Sequence, residues 1–272
     1  MEEQLLGMYF IGQLPCAPHP AFNPSQFLPS NTTSTGLLMA STTFSVDFAN
    51  ESLRGNGFFR LENQEIGDDI VEFQSKGFPF RSDIGLEFLR KHVLENAPIR
   101  STIESVFDHC TLGHVLRYQA YPGKVVFFQK GPQAGLHGLT VQMWCKGSRA
   151  KHYAGSHRLD LPLEKGDRSL LEAQPTVLAE QKCEGTEKQN EAGSVVISDA
   201  RVGFEIQEGY VIVFMFAMDN LVSTWVPMDL PDSRKLKDKV NAMKTDKIGL
   251  NFVFVETQTN QAASVASCSS LT

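Results

Sequence analysis

An antiparallel β sandwich or jelly roll flanked by helices is the fold class this sequence predicts, and three observations predict it. Short runs rich in β-branched and aromatic residues crowd residues 114–226. Gly and Pro punctuate them at Pro122-Gly123, Gly131-Pro132, Gly147, Gly155 and Gly193. No helix-length segment separates most of these runs, so crossover units of a doubly wound parallel sheet are disfavoured. A mixed sheet is the alternative arrangement. The chain has 272 residues, which allows one large domain or two small ones. That length buries enough surface to hold a core without disulfides or a structural metal.

Taken in order, residues 1–35 hold Pro15, Pro18, Pro20, Pro24 and Pro29 and then Ser30-Asn31-Thr32-Thr33-Ser34. Such a stretch makes neither a central strand nor a long helix and is expected as an extended or partly disordered arm. Ser82-Asp83 precedes Ile84, Leu86, Phe88, Leu89, Val93 and Leu94, the spacing of an N-capped amphipathic helix that Pro98 stops. A second short helix follows over about 100–108 on Ile103, Val106 and Phe107. Strands are expected at His114–Tyr121, Val125–Lys130, Leu139–Cys145, Thr176–Gln181, Ser194–Ser198, Gly209–Ala217, Val222–Val226 and Leu250–Val255. A last helix lies near 232–244 after Pro231, and its basic run Arg234-Lys235-Lys237-Lys239 reads as a solvated face. Residues 258–272 are small and polar and are expected as a disordered tail. One jelly-roll domain over 36–257 results.

Composition bounds the function classes. Lys plus Arg is 25 against 31 Asp plus Glu, a formal charge of −6. No basic tract offers a footprint for nucleic acid or an anionic membrane. Five widely spread cysteines, Cys16, Cys110, Cys145, Cys183 and Cys268, include no C-x-x-C, so neither a disulfide framework nor a zinc ribbon is indicated. The opening MEEQLLGMYFIGQL has acids where a secretory leader needs bases, and no run approaches the 18 or so apolar residues of a membrane span. Asn31-Thr32-Thr33 and Asn50-Glu51-Ser52 are then chance glycosylation matches. A soluble, cytoplasmic protein is expected.

The motifs of common chemistries are missing. None of the seven histidines stands in H-E-x-x-H, H-x-D or H-x-E, no Gly-rich phosphate loop occurs, and Gly147-Ser148 and Gly155-Ser156 are not in G-x-S-x-G. His137, His152, His157 and Asp160 are near one another in sequence, but no two of them are spaced to share the face of one strand.

One stretch is more specific. Phe128-Gln129-Lys130-Gly131-Pro132 leads to Leu139-Thr140-Val141-Gln142-Met143-Trp144, then to Tyr153-Ala154-Gly155-Ser156-His157-Arg158, and then to Gly193–Ser198, Asp199-Ala200-Arg201 and Phe204. This order resembles the phytanoyl-CoA dioxygenase-like family of Fe(II)/2-oxoglutarate oxygenases over about 114–217. The similarity is to fungal members, including ones near secondary-metabolite (natural-product) pathways. The resemblance implies a double-stranded β-helix, the cupin-like jelly roll, with helices before it. Residue by residue it also implies a loss. Phe128 stands where the family has its first iron-binding His, Lys130 where it has the ligand carboxylate, and Phe204 where it has the distal His. Glu208-Gly209-Tyr210-Val211 holds no counterpart of the Arg that pairs 2-oxoglutarate.

An aromatic cavity with a cation in place of iron suits an apolar substrate bearing a carbonyl or enolate. Lys130 is the expected acid or base, Arg201 the oxyanion holder and His157 the third catalytic candidate. Arg117, Tyr118, Phe128, His137, Trp144 and Phe204 are expected to bind substrate. The function this predicts is a cofactor-independent cyclisation, isomerisation or pericyclic step on a small hydrophobic intermediate. The alternatives are an oxygenase that keeps Fe(II) and 2-oxoglutarate in a non-canonical site, and a non-catalytic oxygenase partner. A homodimer is a further expectation.

Overall fold

The computed structural model describes residues 44–256 except 167 and 169, so the arm at 1–35 and the tail at 258–272 lie outside the described residues. Helices come first. α1 (Val46–Asn56), α2 (Gln64–Ser75), α3 (Asp83–Leu89) and α4 (Ala97–Val106) precede the main strands, with β1 (Phe58–Glu62) among them. Each helix begins on a side chain that accepts a first-turn N–H: Ser45 from Phe48, Asn63 from Ile66, Ser82 from Gly85 and Asn96 from Ile99. The helix expected after Ser82 therefore forms, and it continues as a π-helical turn, Arg90–Leu94, before Asn96 starts α4. Sequence periodicity gave no element over 46–75, where α1, β1 and α2 stand.

The strands that follow are β2 (Cys110–Gln119), β3 (Val125–Phe127), β4 (Gly138–Trp144), β5 (Ser148–Tyr153), β6 (Glu164–Lys165), β7 (Leu171–Ala173), β8 (Gly185–Asn190), β9 (Ser194–Asp199), β10 (Phe204–Glu208) and β11 (Tyr210–Ala217). β12 (Met228–Pro231), β13 (Ile248–Leu250) and β14 (Phe252–Val255) close the chain, with α5 (Pro175–Glu180), α6 (Asp219–Val222) and α7 (Arg234–Met243) between.

One expected strand is a helix and another is the end of a helix followed by a turn. Thr176–Gln181 lies in α5, where Pro175 at the first position presets a helical φ and only Leu178 turns to the core. Val222–Val226 closes α6 and then turns, with Ser223 N–H donating to Asp219 O and Trp225 N–H to Val222 O. Apolar runs this short carry no period that separates strand from helix.

The strands form two six-stranded sheets, β1-β9-β4-β11-β2-β13 and β6-β7-β3-β10-β5-β8. All pairs in them are antiparallel except β13 with β2. β12 and β14 form a separate parallel pair. The chain steps from one sheet to the other between β2 and β3, β3 and β4, β4 and β5, β8 and β9, β9 and β10, and β10 and β11. This is a mainly β jelly roll with flanking helices, and its sheets do not close into a barrel.

The first sheet is buried on both faces. Its outer face, through Leu139, Val141, Met143, Val195, Ile197, Ile212, Phe214 and Phe216, packs against Ile66, Ile70 and Phe73 of α2, Ile99 and Ile103 of α4, and Leu236 and Val240 of α7. Every residue of β4 is consequently buried. Among the described residues no helix is long and apolar enough to cross a membrane.

Candidate functional site

Residues directly opposite in antiparallel strands share a face, so the pairing shows which side chains enter the space between the sheets. On the first sheet they form three rows: His114, Met215, Thr140 and Ser198; Leu116, Val213, Gln142 and Val196; and Tyr118, Val211, Trp144 and Ser194. On the second sheet Val126, Phe204 and His152 stand side by side, with Glu172 opposite Val126. Leu171 and Ala173, the neighbours of Glu172, pack on the other face with Phe127 and Tyr153, as strand alternation requires.

Six rings run through this space. Phe128 and Phe204 are stacked with centroids 5.7 Å apart, and Tyr118 meets Phe128 edge-on at 5.9 Å. Trp144 meets Phe204 edge-on at 6.2 Å and His152 at 5.6 Å. His152 stacks on Phe204 at 6.1 Å and lies 5.1 Å from Phe58. These separations lie in the attractive range for aromatic pairs, and the row is planar-walled and apolar.

Polar groups are threaded through it. His152 Nε2 lies 3.0 Å from Gln142 Oε1, and Gln142 Nε2 donates to Thr140 Oγ1 at 3.2 Å. Gln142 Oε1 only accepts, so Nε2 is the protonated nitrogen of His152. Burial, aided by the charge of Arg60, pushes the His152 pKa down to about 3. Burial also lowers His114, His92 and His157.

This sets a pH dependence. In the unfolded chain these histidines take up protons as pH falls through about 6.5, while His152 in the fold stays neutral to about 3. The unfolded state then binds more protons, so stability is flat above about pH 7 and falls between about 6.5 and 3. The slope is up to about 1.4 kcal/mol per pH unit for each such histidine. Urea midpoints at pH 7, 6, 5 and 4 are expected to fall steadily, and His152→Gln is expected to remove one histidine's share of the slope. An unchanged slope in that variant would place a charged imidazole in the core.

Several interior polar atoms are buried and have no hydrogen-bond partner among the described residues. They include both ring nitrogens of His114, Nε1 of Trp144 and Oε1 of Glu172. The other oxygen of Glu172 lies 3.6 Å from Lys124 Nζ. Unpaired buried groups are few in native cores because each forfeits its hydration. The imidazole of His114, kept neutral by burial, can donate one hydrogen bond and accept another.

Of the residues singled out in the sequence, Tyr118, Phe128, Trp144 and Phe204 meet in this space. The others stand elsewhere. Arg117 faces the helices, its guanidinium carbon 4.2 Å from the centre of the Phe78 ring. Lys130 is exposed on the loop after β3, and His137 is exposed on the same loop beside Gly135. Arg201 grips Asp199 through Nε (3.0 Å) and Nη2 (2.7 Å) and donates from Nη1 to Pro132 O at 3.0 Å, pinning that loop. His157 is buried in the turn after β5, packed against Gly57, with Nδ1 unpartnered. Sequence reasoning did not select His114, Gln142 and Glu172, nor His152 as part of the aromatic row. Gln142 carried a usable signal, being two residues before Trp144 on one strand. Glu172 carried none.

The positions where the resemblance puts the family's iron ligands hold Phe128, Lys130 and Phe204 in this chain. Two phenyl rings offer no lone pair, and the third side chain is a cation, so these residues do not fit a ferrous ion. Among the described residues no three His, Cys, Asp or Glu side chains group where they could hold a metal ion.

No protein-family profile matches the chain, and no curated protein matches it. Solved structures do. The epimerase SnoN in complex with Fe3+, alpha ketoglutarate and nogalamycin RO is 12% identical over 64% of this chain and 83% of that one, with a TM-score of 0.45. Apo HygX from Streptomyces hygroscopicus is 11% identical over 64% and 86%, at 0.44. EctD from S. alaskensis with 2-oxoglutarate and 5-hydroxyectoine is 7% identical over 67% and 79%, at 0.42. At such scores the overlap is partial, and the fold is described by this chain's own strand pairing.

Proposed function

We propose that this chain is a divergent phytanoyl-CoA dioxygenase-like jelly roll that works without iron or 2-oxoglutarate. In this reading it isomerises or cyclises a small, planar, hydrophobic substrate between its sheets. The observation that carries the reading is the aromatic row Phe128–Phe204–His152–Trp144 lying beside buried, unpartnered polar atoms. An isomerisation moves a proton from one carbon to another and consumes no oxidant. Glu172 is the base that takes the proton and returns it. Tyr118, Phe128, Trp144 and Phe204 hold the substrate. Arg201, held by Asp199, positions the loop that carries Lys130 through Pro132, and Lys130 is exposed on that loop, outside the substrate space. Arg117, His137 and His157 lie outside this set.

The test uses 2-tetralone, a planar ketone with acidic α-protons, in D2O with EDTA, followed by NMR. The purified chain is expected to speed α-deuteration over buffer, and Glu172→Gln to slow it at least about 100-fold. A parallel sample is loaded anaerobically with Fe(II) and 2-oxoglutarate and then exposed to oxygen. One bound iron per chain with succinate formed would make this a dioxygenase instead. Exchange no faster than buffer would remove the proton-transfer role.

A further inference from the structure

We propose that His114, clamped by Trp225, is the hydrogen-bonding anchor for a neutral carbonyl oxygen of a planar ligand. This deepens the reading above and rests on it.

His114 is 1% exposed, and neither ring nitrogen has a hydrogen-bond partner among the described residues. Burial with no facing charge keeps it neutral, so it presents one N–H and one lone pair, matched to an uncharged oxygen rather than to a carboxylate. Its orientation is built. The Trp225 indole stacks on it at 5.3 Å and 12°. That stack is possible because the residue before His114 is Gly113, where β2 breaks register with β11. A Cβ on Gly113 would sit 2.2 Å from the Trp225 ring. A bulge, a glycine and a tryptophan together fix the plane of one unpaired imidazole, a costly arrangement for a residue with only a packing role.

The space beside His114 can adapt. Met215 is its partner in the row, and an unbranched thioether repacks easily around a guest. Thr140 in the same row accepts from Gln142 in the next, and Gln142 also meets His152, which leaves His114 as the polar side chain of this row's end without a partner among the described residues.

The two tryptophans of the chain, Trp144 and Trp225, both border this space, so intrinsic fluorescence reads its occupancy. The probes are 2-tetralone and tetralin, which differ in the carbonyl. Wild type is expected to bind the ketone about tenfold more tightly than the hydrocarbon. In His114→Leu the ratio is expected to fall to about one while tetralin still binds. The same variant is expected to melt about 2–4 °C higher, because it deletes unsatisfied buried atoms. Gly113→Ala, which displaces Trp225, is expected to shrink the ketone preference without abolishing tetralin binding. Equal affinities in wild type, or a preference that survives His114→Leu, would overturn the anchor while leaving the interior as a binding space. Binding of neither probe would overturn the anchor and the proposed function together. Ketone binding without deuterium exchange would spare the anchor and sink the proton-transfer reading.

Discussion

Phe204→Ala is expected to cost about 3–5 kcal/mol of folding stability, within the range for deleting a fully buried phenyl ring. Phe204 is 0% exposed and touches both sheets' contributions to the interior: Phe128 at 5.7 Å, His152 at 6.1 Å and Trp144 at 6.2 Å. The neighbours cannot close the gap easily, because β10 is held by β3 on one side and β5 on the other. Urea titration reads the loss, and Trp fluorescence with tetralin reads its consequence. The vacated volume is expected to admit the hydrocarbon more readily even as the protein weakens. A loss below about 1 kcal/mol would mean that this interior is not packed as described.

Asp199→Ala is expected to cost a similar amount, about 3–5 kcal/mol, for an electrostatic reason. Asp199 and Arg201 have side-chain exposures of 3% and 10%, with Nη2 to Oδ2 at 2.7 Å. Removing the carboxylate leaves a guanidinium buried without its counter-charge, which is more damaging than the pair's net worth. It also frees the Arg201 backbone N–H, which donates to Asp199 Oδ1 at 2.9 Å. Arg201→Ala strands the carboxylate and releases Pro132 O. The double variant is expected to lose less than the sum of the singles, since neither charge is then stranded. This cycle separates two roles for Arg201. A positioning role predicts that stability and 2-tetralone exchange fall together and that Asp199→Ala mimics Arg201→Ala. Exchange lost at full stability in Arg201→Ala alone would make its guanidinium a direct participant.

The neighbourhood of the aromatic residues is legible in the sequence. Phe128, Trp144 and Phe204 were grouped by the order of motifs along the chain, and the fold brings them within 5.7 and 6.2 Å of one another through Phe204. Tyr118 joined them as a neighbour in that grouping and meets Phe128 at 5.9 Å. The charged part was not legible. Arg117 and Tyr118 are adjacent on β2, so they point to opposite faces, and only one could be interior. The choice was hidden because both faces of that sheet are buried, one by helices and one by the second sheet, so hydrophobic alternation fades. Glu172 lay in a three-residue strand whose pairing partners, Glu164 and Val126, are 8 and 46 positions away.

What the sequence by itself determined is local: the capping of a helix by Ser82, the turn glycines, the β-rich middle, and the absence of the catalytic motifs that would have forced a different chemistry. These follow from steric and hydrogen-bonding preferences within a few residues of the chain. The tertiary structure decided which face of each strand looks inward, that Arg201 is engaged by Asp199 and Pro132 O, and that His114 is buried unpaired beneath Trp225. Those outcomes depend on contacts between distant segments, 111 positions apart for His114 and Trp225 and 140 for Phe58 and Ser198. They depend too on which surfaces the helices cover, and short-range propensity carries no information about either.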